Sequence, residues 1–206
     1  KNNIKIISSG GTYKEIKKLK FKCLEVSEFT NSPEILEGRV KTLHPKIHAG
    51  ILNKRDNKIH LKDLKKNNFE NIDLVIVNFY PFEKTLKNTK NHNKIIENID
   101  VGGPTMVRSA AKNFKDVTVI TSSKQYGELI EELSKNKGST SLGFREKLSR
   151  IAFTETAYYD SVISDYFNKK TNIIFPKKRV FHANLVDTPR YGENPHQKSA
   201  IYSKNS

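Results

Sequence analysis

Short apolar runs alternate along the chain with longer stretches in which hydrophobic residues recur at helical spacing. The apolar run over 73–79 (DLVIVNF) is continuous, which is typical of a strand buried on both faces of a parallel sheet. The alternation predicts an α/β domain with a mostly parallel sheet. Strands are predicted over 4–8, 22–26, 73–79 and 117–121, and helices from Tyr13 and over 56–67, 91–99, 103–113, 125–135 and 141–167.

The periodicity is lost after residue 168, where charge and proline increase. This composition predicts one domain over 1–168 and a linker over 169–189. The residues that follow, 190–206, are too few to fold alone, so we expect them to begin a second domain.

Composition narrows the possible functions. The chain of 206 residues carries 37 Lys+Arg against 22 Asp+Glu, a net charge of +15. The charge is spread evenly, and only 7 of the basic residues are Arg, the residue preferred for bidentate phosphate and base contacts. A diffuse basic surface is therefore favoured over nucleic-acid binding. The single cysteine excludes a disulfide scaffold and indicates a reducing compartment, the cytoplasm. No apolar run approaches the roughly 18 residues of a membrane span, so no membrane partner is expected.

The first motif with chemical potential is Ser8-Ser9-Gly10-Gly11-Thr12, at the end of the first predicted strand. Glycines let the backbone approach an anion closely, and the N–H groups of a helix start bind phosphate. The alternative is an ordinary strand-to-helix turn with a Ser or Thr cap.

The second motif is Gly38-Arg39-Val40-Lys41-Thr42-Leu43-His44-Pro45. If this segment is extended, the Arg39 and Lys41 side chains point to the same side and suit an anion. The alternative is a solvated loop with two cations. His44 and His48 have the spacing of a metal pair, but no third ligand is evident and Pro45 disrupts a helix through both, so no metal is expected.

Polar residues also follow the strongest strand, where ligands of open α/β sheets usually bind. Asn78 and Tyr80 occupy this edge; packing of the aromatic residues under the next helix is the alternative.

Farther along, Asp100 precedes a Gly-Gly turn and a predicted helix that carries Lys112. The Ala110-Ala111 pair predicts close helix packing, which would hold the lysine stem in partly apolar surroundings. The alternative is an Asp cap and an exposed lysine.

Taken in order, SGGT, GRVKTLHPKIHAGIL, NFYPF, NIDVGGPTMVRSAAKN and RYGENPHQ resemble the family of bifunctional purine-biosynthesis proteins, AICAR formyltransferase/IMP cyclohydrolase. The resemblance runs from about Ile4 to Tyr202. It implies a three-layer, methylglyoxal-synthase-like open sheet for 1–168, and it implies that 190–206 opens the formyltransferase domain. The family's N-terminal strand and Ser-x-Ser-x-Lys loop, and the body of its formyltransferase domain, have no counterpart in this sequence.

The resemblance also implies roles for individual residues. The catalytic set comprises Lys41, Tyr80, Asp100 and Lys112, with Lys112, held by Asp100 and near Tyr80, as the main proton-transfer group. The implied nucleotide contacts are Ser9, Gly10, Gly11, Thr12, Arg39, Val40, Thr42, Val77, Asn78, Val101 and Gly102, and AICAR contacts of the formyltransferase half are Arg190 and Tyr191.

The activity implied is closure of the purine ring of formyl-AICAR to give IMP and water, by a homodimer. The resemblance implies no metal or redox cofactor for this step; 10-formyltetrahydrofolate is a co-substrate of the formyltransferase half only. A non-catalytic module of the same fold that binds a phosphate or nucleotide is the alternative.

Overall fold

A computed structural model describes residues 4–194 and 196–204. Pro195, within the RYGENPHQ motif, lies outside the described residues. The helices are α1 (Gly10–Lys18), α2 (Val26–Thr30), α3 (Pro45–Leu52), α4 (Lys58–Asn67), α5 (Phe82–Asn88), α6 (His92–Glu97), α7 (Gly102–Lys112), α8 (Tyr126–Lys135) and α9 (Leu142–Lys170). The strands are β1 (Ile7–Ser8), β2 (Leu24–Glu25), β3 (Leu74–Ile76), β4 (Thr118–Ile120), β5 (Asn184–Asp187) and β6 (Ile201–Ser203).

The strands form three pairs, two of which are parallel. β1 lies parallel to β2 and β3 lies parallel to β4, with Val75 opposite Val119, while β5 and β6 are antiparallel. The predicted α/β class with mostly parallel strands is therefore confirmed. Each of the four predicted strands is present but shorter than its apolar run, and the described strands form two-stranded sheets.

Helix α7 lies at the centre of the core, packed against α3, α9 and the β3–β4 pair. Its observed bounds differ by one residue at each end from the predicted 103–113. Pro104 stands in the first turn, where its missing N–H costs nothing. Ala110 and Ala111 are fully buried, so the small pair does allow neighbouring helices to approach closely.

Helix α9 extends past the predicted domain boundary at residue 168. Its first turn is capped by Ser141, whose Oγ accepts a hydrogen bond from the Phe144 N–H. In its middle, the Ser149 hydroxyl donates to the Ala111 carbonyl over 2.8 Å and ties α9 to α7.

The segment predicted as a linker, 169–189, contains β5, which pairs with β6 across the predicted boundary at 190. Contacts with α9 hold this ribbon in place. The Asn184 amide donates to the Tyr158 hydroxyl over 3.0 Å, and Lys204 forms an ion pair with Asp165 at 3.1 Å.

Three short helices, α2, α3 and α5, were not predicted. For α3, Pro45 was expected to disrupt a helix through His44 and His48. The structure instead places Pro45 in the first turn, behind His44 as the N-cap, whose Nδ1 accepts from the Lys46 N–H over 3.1 Å. A proline is compatible with that position because the first-turn N–H groups have no partner within the helix.

Candidate active site

The SGGT motif forms the tight turn between β1 and α1. Ser9 is the extended N-cap residue, and Gly10 has a left-handed φ of +57° that a residue with a Cβ adopts only with strain. The Ser9 side chain makes no capping hydrogen bond. The first N–H groups of α1 therefore lack a side-chain cap at the exposed end of β1, which is the arrangement that favours an anion.

Lys41 reaches this turn from a distant part of the sequence. A Cβ added to Gly10 would lie 3.5 Å from the Lys41 Nζ, so the ammonium lies directly against the glycine backbone. The same nitrogen forms an ion pair with Glu34 at 3.7 Å. The structure therefore joins the first two predicted motifs through one cation.

Arg39 and Lys41 do not act as a parallel pair. Residues 39–42 form a turn rather than an extended strand. Arg39 pairs with Glu97 at 3.1 Å and stays largely exposed, whereas Lys41 turns toward Glu34. The extended backbone on which a shared direction of the two side chains depended is therefore not present.

A recess of about 200 Å³ lies beside this turn and is lined by Val40, Lys41, Glu25 and Glu34 among others. The volume is below the range of about 300–1,000 Å³ usual for ligand pockets. Two carboxylates also make it unsuited to a phosphate. An anionic ligand would therefore approach Lys41 from the Gly10 side.

Thr42 connects this turn to the start of α7. Its Oγ1 lies so close to Gly102 that an added Cβ would overlap it. Behind Thr42, the His48 Nδ1 lies 3.1 Å from the Ser109 hydroxyl on α7. Burial lowers the pKa of His48, and the backbone of Thr42 partly offsets that effect.

Asp100 lies at the other end of this connection, before the first turn of α7. Its carboxylate accepts the Gly103 N–H over 2.9 Å, and its own N–H donates to the Tyr159 hydroxyl over 2.8 Å. Burial raises the pKa of Asp100, while the N–H groups of Gly103 and Tyr80 partly offset that rise. A raised pKa makes the carboxylate a stronger base, closer to what proton transfer near neutrality requires.

The segment after β3 completes the arrangement. The Val77 N–H donates to the Ile120 carbonyl over 3.0 Å, and an added Cβ at Gly103 would come within 3.0 Å of the Val77 side chain. Asn78 and Tyr80 are exposed and line a groove of about 570 Å³ at the carboxyl ends of β3 and β4. Val101 is also exposed, beside Asp100.

Lys112 is not part of this group. It is exposed at the last position of α7, whereas Asp100 precedes the first. The helix between them has 11 residues and spans about 16 Å at 1.5 Å per residue. The expectation that Asp100 holds Lys112 near Tyr80 within one chain is therefore wrong.

Arg190 and Tyr191 lie in the exposed connection between β5 and β6. The Tyr191 carbonyl accepts the Ser199 hydroxyl over 3.0 Å, a contact within the ribbon itself. Within the part of the chain that the structure describes, these two residues form no hydrogen bond or ion pair with the group around Asp100.

Three residues join this group without having been predicted for it: Glu34, Tyr159 and His48, of which His48 had been considered only as a metal ligand. Glu34 could have been found from its charge, because a carboxylate seven residues before Lys41 can form an ion pair with it across a turn. Tyr159 had no local signal, since it lies amid the long pattern of α9.

In the described ranges, no helix is long and apolar enough to cross a membrane. The same ranges contain no cluster of three or more His, Cys, Asp or Glu side chains arranged to hold a metal ion.

Comparison with known proteins divides the chain near α7. Residues 1–105 match the model of the MGS-like domain family, and residues 110–206 match the model described as the AICARFT/IMPCHase bienzyme. The crystal structure of ForH is 28% identical, with a TM-score of 0.69, over 79% of this chain and 85% of that one.

Curated relatives are similar over almost the whole chain. The bifunctional purine biosynthesis protein PurH of Prochlorococcus marinus subsp. pastoris is 50% identical over 100% of this chain, and that of Persephonella marina is 50% identical over 98%. PurH of Bradyrhizobium diazoefficiens is 46% identical over 98%. The chain spans only 38–39% of the length of these relatives. The resemblance drawn from the motifs is confirmed: the chain belongs to the MGS-like domain family, and its similarity to bifunctional purine biosynthesis proteins extends over its full length.

Proposed function

We propose that this chain is the IMP cyclohydrolase part of a bifunctional purine biosynthesis protein, and that it closes formyl-AICAR to IMP with loss of water. One observation carries the proposal. Lys41 at the Gly10 turn, Thr42 at Gly102 and Asp100 beside Tyr80 form one connected set of contacts, although they come from four separate motifs.

The basic side of this set suits a nucleotide monophosphate. The first N–H groups of α1 and the Lys41 ammonium converge on the same exposed turn, and Arg39 lies on the same segment as Lys41. The net charge of +15 adds a long-range attraction for an anionic substrate. The remaining nucleotide contacts proposed by resemblance are Ser9, Gly11, Thr12, Val40, Thr42, Val77, Asn78, Val101 and Gly102.

The reaction is intramolecular. The carboxamide nitrogen attacks the formyl carbon and a C–N bond forms. The bond between the formyl carbon and its oxygen then breaks, and the oxygen leaves as water with two protons, one from the carboxamide nitrogen and one from the formamide nitrogen, which becomes part of the ring C=N bond. Holding both groups in a near-attack pose is worth about 7–11 kcal/mol in well-oriented cases. Contacts from the Gly10 turn and from the Asp100 segment to two parts of the substrate would supply that orientation.

Asp100 and Tyr80, which lie next to each other, carry out proton transfer. The Asp100 carboxylate, whose pKa burial raises, accepts the proton that the amide nitrogen loses. The exposed Tyr80 hydroxyl, on the residue whose backbone N–H lies against Asp100, is the proton donor. Lys41 stabilises the negative charge on the formyl oxygen. Within one chain, Lys112 lies too far from Asp100 to share this work.

By resemblance, the step requires no metal ion, and it requires no redox cofactor because no electrons are transferred. By resemblance, 10-formyltetrahydrofolate serves only the formyltransferase activity of the longer protein, where Arg190 and Tyr191 would contribute to AICAR binding. A homodimer and a cytoplasmic location are proposed on the same basis.

The test is a direct assay of the purified chain with formyl-AICAR, following IMP by chromatography. We expect turnover in the wild-type chain and a loss of about 10²-fold or more in the Lys41→Met variant, as for removal of an oxyanion donor. Lys137→Met, in the exposed turn after α8, serves as the matched control and should retain activity. Binding of IMP without turnover would favour the alternative of a non-catalytic nucleotide-binding module.

A further inference from the structure

The Lys41 ammonium is held by one carboxylate and two glycines. Among the described residues, its ion-pair partner is Glu34, at 3.7 Å between Nζ and Oε1. Added Cβ atoms at Gly10 and Gly38 would lie 3.5 Å and 3.2 Å from the same nitrogen. The Lys41 side chain is 28% exposed against 49% for Glu34, so the cation is the more enclosed partner.

A second carboxylate lines the same recess but is already engaged. Glu25 accepts hydrogen bonds from both the N–H and the hydroxyl of Ser27, the former at 2.7 Å. The Ser27 side chain is also the main cause of the lowered pKa of Glu25, ahead of the Lys41 charge. Glu34 is therefore the carboxylate that remains available to orient Lys41.

The backbone between the two partners is shaped to bring them together. Leu36, Glu37 and Gly38 all have positive φ, at 52°, 54° and 84°. Two of these are residues with a side chain in the left-handed region, which is unfavourable and persists where surrounding contacts determine it. The resulting reversal brings the Glu34 carboxylate to the ammonium of a residue seven positions later.

The separation of the pair leaves Lys41 able to bind something else. Charge-assisted hydrogen bonds between ammonium and carboxylate are about 2.7–2.9 Å long, so a pair at 3.7 Å is an electrostatic contact rather than a full hydrogen bond. A lysine ammonium has three donors, and this contact saturates none of them.

We infer that Glu34 is a positioning residue for Lys41, and that it holds the ammonium at the Gly10 turn where the anionic substrate binds. The inference rests on the proposed cyclohydrolase function for its kinetic consequence. Its structural part, the placement of the ammonium, is independent of any activity.

The experiment compares Glu34→Gln with Glu37→Gln, a matched control three residues away in the same loop. The unliganded chain is acetylated with a limiting amount of reagent, and the extent of labelling at Lys41 is measured by mass spectrometry. The extent of labelling reports how strongly the ammonium is held in place. We expect labelling of Lys41 to rise about two- to fivefold in Glu34→Gln, the factor that release of a partly exposed ion pair would give. Glu37→Gln should match the wild type.

Steady-state kinetics with formyl-AICAR measure the effect of the same substitutions on turnover. Glu34→Gln should lower kcat about tenfold or more, since small displacements of a catalytic group cost that much, with KM changed less than about threefold. Glu34→Asp keeps the carboxylate and should restore most of the lost kcat, whereas a purely structural defect would persist.

Three results would overturn the inference. Unchanged acetylation of Lys41 in Glu34→Gln would show that Glu34 does not hold the ammonium, and unchanged kcat would show that the contact does not matter. Tighter IMP binding with an unaltered kcat would make Glu34 a competitor of the anion. A wild-type chain without turnover would refute the proposed function alone, because acetylation is measured without substrate and still decides the placement of Lys41.

Discussion

The backbone N–H of Asp100 donates to the hydroxyl of Tyr159 over 2.8 Å, and this bond links the candidate base to the middle of the longest helix. Tyr159 is only 7% exposed and packs against Phe79 and Phe82. The loop that carries Asp100 is thereby fixed to an aromatic cluster of the core. Rigid support of this kind is what a catalytic group needs to keep a productive geometry.

Removing that hydroxyl should destabilise the protein. Tyr159→Phe leaves the half-buried Asp100 N–H without its acceptor, and an unpaired donor that is shielded from water costs about 1–3 kcal/mol. The measurement is urea unfolding followed by circular dichroism. Tyr126→Phe removes a hydroxyl from a partly exposed ring on α8 and should stay within about 0.5 kcal/mol of the wild type. Equal stability of Tyr159→Phe and Tyr126→Phe would mean that water replaces the Tyr159 hydroxyl.

Neutralising Asp100 should separate stability from activity. Burial is the main cause of its raised pKa, so ionisation of this carboxylate opposes folding at neutral pH. Asp100→Asn keeps an oxygen for the Gly103 N–H and removes the buried charge. We therefore expect equal or greater stability at pH 7 and a loss of about 10²-fold in turnover.

The effect of the Asp100 charge on stability should depend on pH in a defined direction. A carboxyl whose folded pKa exceeds its unfolded value destabilises the protein above the folded pKa, and the penalty disappears as the pH falls to the unfolded value of about 3.9. The stability difference between Asp100→Asn and wild type should shrink over that range in urea titrations. Asp56→Asn, at an exposed carboxyl, should show no such change, and a growing difference at low pH would contradict the assignment.

Local patterns predicted the central elements because those elements follow from local physics. The apolar run over 73–79 does contain a strand, Leu74–Ile76, but of its residues only Val75 is buried and Ile76 is exposed, so the expected burial on both faces is wrong. The Gly-Pro start followed by two alanines gives α7 to within one residue. Contacts between residues far apart in the fold were harder to predict from the sequence. The pairing of Lys41 with Glu34 depends on a reversal at Leu36 and Glu37, residues with no turn-forming side chain.

The position of Lys112 illustrates the other limit. The motif resemblance places it in the same catalytic set as Asp100, but it carries no distances. Once α7 is a straight helix, counting residues from Asp100 already separates the two groups by about three turns. Asp100 and Lys112 thus belong to one sequence motif without being in contact within one chain.

The first turn of α7 should be intolerant of any side chain at Gly103. An added Cβ would overlap the Asp100 carboxylate and approach the Val77 side chain to 3.0 Å. Gly103→Ala should therefore cost about 1–3 kcal/mol through overpacking and also lower kcat, because it displaces Asp100. Gly127→Ala places a methyl group in open space on α8 and should gain up to about 1 kcal/mol from helix propensity. Thermal unfolding of both variants checks the contrast, and a neutral Gly103→Ala would show that Asp100 can move freely.

His48 should make stability fall as the medium becomes acidic. Burial lowers its pKa, so protonation is harder in the folded chain than in the unfolded one. Its contribution is complete above the unfolded value of about 6.5 and is lost as the pH falls from there to the folded pKa, with a slope of at most about 1.4 kcal/mol per pH unit. His48→Gln should flatten the stability profile in that window, whereas His196→Gln, at an exposed position, should leave it unchanged. A profile that stays steep in His48→Gln would assign the acid sensitivity to another group. It would also mean that the contact of His48 with Ser109, behind Thr42, does not make the Thr42 turn sensitive to pH.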